Sequence, residues 1–248
     1  MKQTIFTIQE NKQLTTTTWR MKLSGDTSDI KSAGQFVNIK LDGYFLRRPI
    51  SVCDLEGDIL TIIYKVLGQG TEEMTQFSIG KKLDVLTGLG NGYDLSLSGE
   101  RPVLIGGGVG IPPLYLAAKK LIADGKKVTA VLGYNASDEI YYVDEFKDLG
   151  CEVIVATLDG SVGKKGFVTD ALKELKGEDC GYTYFYTCGP EPMLKAVYNV
   201  TKTSGQLSFE ERMGCGFGVC MGCSCKTVSG YKRICKEGPV LKKEELLW

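Results

Sequence analysis

The sequence predicts three units in series. These are an antiparallel β-barrel over residues 1–98, a doubly wound α/β unit with a parallel sheet over 99–205, and a small Cys-rich module over 206–248. Three observations carry this reading. Short Thr-, Val-, Ile- and aromatic-rich runs between turn residues fill the first hundred positions. Buried-strand runs then alternate with helical patterns, and five of the nine cysteines fall between Cys215 and Cys235.

In the first unit, "TIFTIQE", "TTTTWRMKL", "QFVNIKL", "DILTIIYKV" and "KKLDVLTGL" read as strands, several of them alternating polar with apolar. The turn signals "LSGDTSD", "LDGY", "LEGD" and "GLGNG" separate them at spacings suited to a small barrel, with "GTEEMTQF" as the best short helix. From Arg101 the pattern changes. "PVLIGGG", "KVTAVLGY", "CEVIVATLDG" and "YTYFYTCG" are strand runs, and "IPPLYLAAKKLIADG", "DEIYYVDEFKDLG", "TDALKELKG" and "PEPMLKAVYNVTKTSG" have helical spacing. Beyond Gly205 there are too few apolar residues for an independent core, and a module of this size normally folds around a metal.

Composition excludes several functions. Thirty basic against thirty acidic residues leave no net field, which argues against nucleic acid or an anionic membrane as partner. There is no apolar run of signal-peptide or membrane-spanning length, so a cytoplasmic protein is expected. The absence of histidine removes His-dependent triads, His-ligated zinc and Rieske-type clusters, and points to chemistry carried by a cofactor.

Six motifs suggest which cofactors. In "LIGGGVGIPP", Gly106, Gly107 and Gly108 follow a strand and let backbone approach a pyrophosphate, Gly110 permits close packing, and Pro112 and Pro113 suit a first helical turn. A plain strand-to-helix turn is the alternative. "TCGPEPM" places Cys188, Gly189 and Pro190 at the end of another parallel strand, where open α/β sheets hold ligands. "LGYNASDE" offers Asp138 and Glu139 and no base for a 2′-phosphate, which favours NAD(H) over NADP(H).

In the barrel, "YFLRRPISVCD" contains Arg47 and Arg48, which cannot both face the core; one of them, with Pro49 and Ser51, would present a guanidinium and a hydroxyl to a diphosphate-bearing ring. "IIYKVLGQGTEEM" adds a tyrosine plane, a lysine and a Gly-x-Gly-Thr turn. Each of these barrel motifs alone reads equally well as a strand ending in a solvated turn.

Cys215-x4-Cys220-x2-Cys223 has plant-type iron–sulfur spacing, with Cys235 as the further ligand. Zinc is the competing reading, but the run does not divide into paired C-x2-C knuckles. Cys225 is expected to be a bystander packed under the loop. A hydride donor and a one-electron cluster need a two-to-one electron converter between them, and a flavin is one.

Over the whole chain these residues resemble the ferredoxin–NADP reductase superfamily. "RRPIS" is similar to its flavin signature, and "GGGVGIPP", "DGSVGKKGFVTD" and "CGPEPML" to its nucleotide-domain motifs. With the "CGFGVCMGC…C" tail added, the chain resembles the electron-transfer subunits of type B dihydroorotate dehydrogenases. The resemblance implies FAD held by Arg48, Pro49, Ile50, Ser51, Ile63, Tyr64, Lys65, Gly70 and Thr71, with Cys188 beside the nicotinamide of NAD(H). It implies a [2Fe–2S] cluster on Cys215, Cys220, Cys223 and Cys235, and an FMN-containing dihydroorotate dehydrogenase catalytic partner in a complex with two of each subunit. Subunits serving sulfhydrogenases, sulfite reductases or ferredoxin share much of the plan, and a zinc-stapled adaptor without activity is the third reading.

Overall fold

In the computed structural model, which describes residues 1–175 and 181–248, the first six strands close on themselves. β1 (Lys2–Gln13), β2 (Thr18–Ser24), β3 (Phe36–Ile39), β4 (Arg48–Glu56), β5 (Ile59–Lys65) and β6 (Lys82–Leu89) form a barrel in the order β1-β2-β5-β4-β3-β6, every pair antiparallel. Period-2 alternation decides what fills it: Phe6, Ile8, Met21, Leu23, Leu60 and Ile62 are fully buried. Each such side chain withdraws apolar surface worth about 1.5–3 kcal/mol. The helix α1 (Gln69–Thr75) starts directly after β5.

The second sheet comprises β7 (Pro102–Gly107), β8 (Thr129–Tyr134), β9 (Glu152–Thr157), β10 (Lys164–Lys165), β11 (Tyr184–Cys188) and β12 (Gly205–Ser208), with α2 (Pro112–Ala123), α3 (Val143–Asp148), α4 (Val168–Glu174) and α5 (Glu191–Val200) in the crossovers. The sheet order is β10-β9-β8-β7-β11-β12-β15. All its pairs are parallel except the last, where β15 (Val240–Lys242) runs antiparallel to β12. Between them β13 (Ser224–Thr227) and β14 (Gly230–Arg233) make a separate hairpin.

Three differences from the sequence reading have physical causes. The helix expected over "DEIYYVDEFKDLG" starts only at Val143, because Tyr142 adopts φ 65° and throws the two tyrosines to different neighbours. The residues after Val200 leave the helix, and the expected boundary after residue 205 falls inside β12. The C-terminal segment also lends β15 to the nucleotide sheet, so its fold does not rest on metal ligation alone. The last two residues of the expected helix "TDALKELKG" lie outside the described residues.

Side-chain contacts lock the units together. Asn91, just beyond β6, receives a bond from Val240 N at 3.1 Å and donates through its carboxamide to the carbonyls of Glu237 at 2.9 Å and Val240 at 2.8 Å; its backbone N–H donates to Gly238 O at 2.7 Å. Lys119 on α2 sits 3.0 Å from the buried Asp54 of β4. Phe36 and Leu89 of the barrel share one apolar cluster with Cys223, Ile234 and Cys235.

Candidate functional site

Adjacent arginines at the start of β4 do different work. Arg47 is neutralised: its guanidinium donates to both oxygens of Asp84 at 3.0 and 3.1 Å and to Asp84 O at 3.0 Å. Burial pushes the Asp84 carboxyl up, but bonding to Arg47 outweighs this and holds it below its ordinary value. Arg48 has no carboxylate partner among the described residues. Its guanidinium lies 4.5 Å from the Tyr44 ring centre and donates to Leu46 O. A Cβ on Gly70 would fall 2.4 Å from that guanidinium, so the glycine lets the Arg48 side chain lie against the start of α1. A cation at a half-buried barrel mouth, unneutralised and beside a helix start, fits a diphosphate.

Pro49, Ile50 and Ser51 follow on the same half-exposed stretch. On β5, alternation separates the remaining candidates. Lys65 stays half-exposed, while Tyr64 is 1% exposed with its hydroxyl 3.0 Å from Asn11 Oδ1. The tyrosine plane expected over a ring is therefore a barrel-core side chain. Ile63, on the opposite face to Tyr64, is also buried. The Thr71 hydroxyl is bonded within its own turn, receiving Leu67 N at 3.0 Å and Gly68 N at 3.3 Å, so it shapes the loop.

The glycine turn after β7 abuts the end of β11. A Cβ on Gly110 would lie 2.2 Å from Cys188 O and 2.6 Å from Gly189 N, which is backbone that cannot swing aside. Gly108, at φ 52°, faces open space, whereas Gly107 and Gly189 are covered by Met193. Tyr141, which the sequence reading assigned to a helix, donates from its hydroxyl to Gly108 O at 2.8 Å. It shares a narrow crevice with Thr17, Thr18, Lys65, Gly108, Val109 and Glu139, so the end of β5 and the glycine turn border one space. The doublet "YY" carried no signal for this, because only the left-handed Tyr142 turns Tyr141 toward the glycines. Glu139 accepts from Asn135 Nδ2 at 2.8 Å at this rim, and Asp138 precedes it in the same one-turn helix, Ser137–Glu139. Desolvation pushes the Cys188 thiol up to about 12, so it stays neutral at working pH. Pro190 caps α5 at an exposed position.

The cysteines sort into two pairs. Val219 N and Cys220 N donate to Cys215 Sγ at 3.3 and 3.5 Å, and Cys215 N to Cys220 Sγ at 3.4 Å. Cys235 N donates to Cys223 Sγ at 3.4 Å. Burial raises the Cys215 thiol, but backbone N–H groups of Cys220, Phe217 and Val219 outweigh it and bring it down to about 6. Burial beside Cys223 pushes Cys235 up to about 12. Among the described residues no three His, Cys, Asp or Glu side chains gather around a single ion position. Backbone amides turned toward these sulfurs suit a negatively charged metal–thiolate centre. Cys225 lies on β13, half-buried, opposite Lys232 of β14 and packed against the apolar cluster that holds Cys223 and Cys235.

Comparison with known proteins places this architecture. Residues 210–247 match the iron-sulfur cluster binding domain of dihydroorotate dehydrogenase B, and residues 104–199 an oxidoreductase NAD-binding domain. A dihydroorotate dehydrogenase B (NAD(+)) electron transfer subunit from Fusobacterium nucleatum is 45% identical, covering 94% of each chain. The chain belongs to this family. The Bacillus pumilus member is 40% identical over 99% of this chain and 98% of its own. A chain from the structure of an NADH-dependent reduced ferredoxin–NADP oxidoreductase superposes with a TM-score of 0.88 at 30% identity, covering 98% of this chain and 90% of that one. A Neisseria gonorrhoeae ferredoxin NADP+ reductase with bound FAD and NADP, 20% identical, shares the fold of the barrel and sheet at a TM-score of 0.70, covering 81% of this chain and 90% of that one. The barrel, sheet and Cys-rich tail seen here are therefore the family's arrangement. No helix among the described residues is long and apolar enough to cross a membrane.

Proposed function

We propose that this chain is the electron-transfer subunit of a dihydroorotate dehydrogenase B complex and carries electrons between NADH, FAD and a [2Fe–2S] cluster. Full-length likeness to dihydroorotate dehydrogenase B electron transfer subunits supports this over sulfhydrogenase or sulfite reductase service. The observation that carries the site assignment is the packing of paired cysteine sulfurs against the barrel whose β4 bears the unpaired Arg48. A non-redox zinc adaptor has no use for that arrangement.

Arg48 and the backbone around Gly70 and Thr71 bind the FAD diphosphate, and Pro49, Ile50, Ser51 and Ile63 border the ring, with Lys65 at the crevice edge. Gly108, with Gly106 and Gly107 before it, cradles the NADH pyrophosphate, Gly110 packs the turn against β11, and Cys188, Gly189 and Pro190 border the nicotinamide. Cys215 with Cys220, and Cys223 with Cys235, hold the cluster. Bound FAD supplies the conversion of a hydride into single electrons. The chain itself positions and shields: no side chain here has to donate or remove a proton, in keeping with the absence of histidine.

The partner is an FMN-containing dihydroorotate dehydrogenase catalytic subunit, in a cytoplasmic complex with two of each subunit. Cys220 is exposed and flanked by the exposed Val219 and Met221, which gives the cluster an apolar outward face for that partner. The test is co-purification from native extract, with flavin and iron analysis. An FMN protein with dihydroorotate oxidation supports the reading. Capture of a hydrogenase or sulfite reductase, or colourless protein with stoichiometric zinc, overturns it.

A further inference from the structure

Asn38 is 2% exposed on β3, and its Oδ1 is buried without a hydrogen-bond partner among the described residues. Leaving such an atom unpaired destabilises the fold, so the position is not explained by stability. Three placements give it a reason. In the β3–β4 ladder Asn38 pairs with Pro49, and Phe36 with Ser51, so it stands on the strand beside the proposed ring-lining residues. Its backbone oxygen receives Arg47 Nη1 at 3.3 Å, which fixes the strand there. On its other side is the cysteine loop: a Cβ on Gly216 would fall 2.3 Å from Asn38 Nδ2, and Gly216, at φ 76°, follows Cys215 directly. The carboxamide is thus wedged between β4 and the loop carrying Cys215, its Nδ2 end against Gly216.

We infer that Asn38 is a positioning residue that seats the Cys215 loop against the ring-lining strand and biases the cluster toward its reduced state. Reduction adds one negative charge to a thiolate-held centre. The positive end of a buried amide dipole beside it stabilises that charge, and burial leaves little solvent to screen it. The narrow fit at Gly216 keeps the dipole close. Neither the family assignment nor the cysteine spacing marks this residue. The inference rests on the four-cysteine cluster proposed above.

The experiment is an EPR-monitored redox titration of the purified holoprotein and its variants, with iron and flavin per chain measured in parallel. Asn38→Leu keeps the volume and removes the dipole; it should shift the cluster's equilibrium toward the oxidised form about threefold. Asn38→Asp places an acid at the same spot and should shift it about tenfold, or 59 mV for a one-electron couple. Gly216→Ala should lower iron per chain while flavin content holds, which tests the seating if either Asn38 variant fails to fold. Iron-loaded Asn38 variants with the wild-type potential, or an iron-replete Gly216→Ala protein, overturn the inference. Wild-type protein without iron overturns the four-cysteine assignment instead.

Discussion

Gly110→Ala is the sharpest perturbation of the nucleotide site. The added methyl would lie 2.2 Å from Cys188 O and 2.4 Å from Cys188 C, against an ordinary contact of 3.4 Å or more. Both neighbours are backbone in β11, which is paired on one side to β7 and on the other to β12. The turn must therefore retreat from β11 by about 1 Å, and a displacement of that size at a positioning element costs on the order of 10²-fold in rate. Overpacking at a closed site costs about 1–3 kcal/mol, and each kcal/mol lowers the Tm of a chain this size by about 2–4 °C. The assay is NADH oxidation with ferricyanide as acceptor, beside flavin and iron content and a thermal melt. The expected outcome is a fall of about 100-fold in kcat/KM for NADH with flavin and iron retained. Gly125→Ala is the control for general destabilisation: Gly125 has positive φ, 77°, but its Cβ meets nothing within 4 Å, so the variant should melt lower without changing NADH kinetics. NADH kinetics within twofold of wild type in Gly110→Ala would refute the close-approach argument.

Arg48→Ala should purify with markedly less flavin at nearly unchanged stability, measured as absorbance at the flavin band per chain. Arg47→Ala should keep its flavin and lose about 1–2 kcal/mol in urea unfolding at neutral pH, because the half-buried Asp84 loses its charge partner and keeps the 2.8 Å bond from Gln3 Nε2. The Asp84 carboxyl is held below the ordinary 3.8, so its contribution is complete above that pH and disappears as pH falls through the lowered folded value. The wild-type advantage over Arg47→Ala should therefore shrink in acid unfolding series. Tyr141→Phe removes the 2.8 Å bond to Gly108 O; a loss of about 1 kcal/mol should raise KM for NADH roughly fivefold with the melt nearly unchanged. Cys225→Ser should retain the visible cluster spectrum and Cys235→Ser should lose it, and the reverse pattern would exchange their roles.

What could be read in advance followed from local rules. Alternation in "KKLDVLTGL" specified a barrel wall, and glycines after "PVLI" specified a backbone turn open to a ligand. The spacing Cys215-x4-Cys220-x2-Cys223 specified a loop around a metal centre, because these patterns need only their own few residues. Where neighbours distant in sequence compete, the reading failed. "DEIYYVDEFKDLG" has helical spacing, yet Tyr141 is drawn to Gly108 and Tyr142 packs 5.1 Å from Tyr115, and these contacts outweigh a turn and a half of helix. Tyr64 was legible as an aromatic next to a lysine, but which face it takes depends on barrel closure, and closure put it inside.

The division is clearest at the two charged and sulfur-bearing stretches. The sequence by itself determined that two adjacent arginines must point apart, because successive strand residues face opposite sides, and that Cys215, Cys220 and Cys223 share one short glycine-rich stretch. Only the tertiary structure decided that Asp84 claims Arg47 and leaves Arg48 open, since that aspartate lies 37 residues away on the neighbouring wall. It also decided that the cysteine loop rests on Asn38, because β15 and the Asn91 contacts carry the C-terminal segment back across the barrel. That return sets the cysteine loop beside β3, the strand paired with β4.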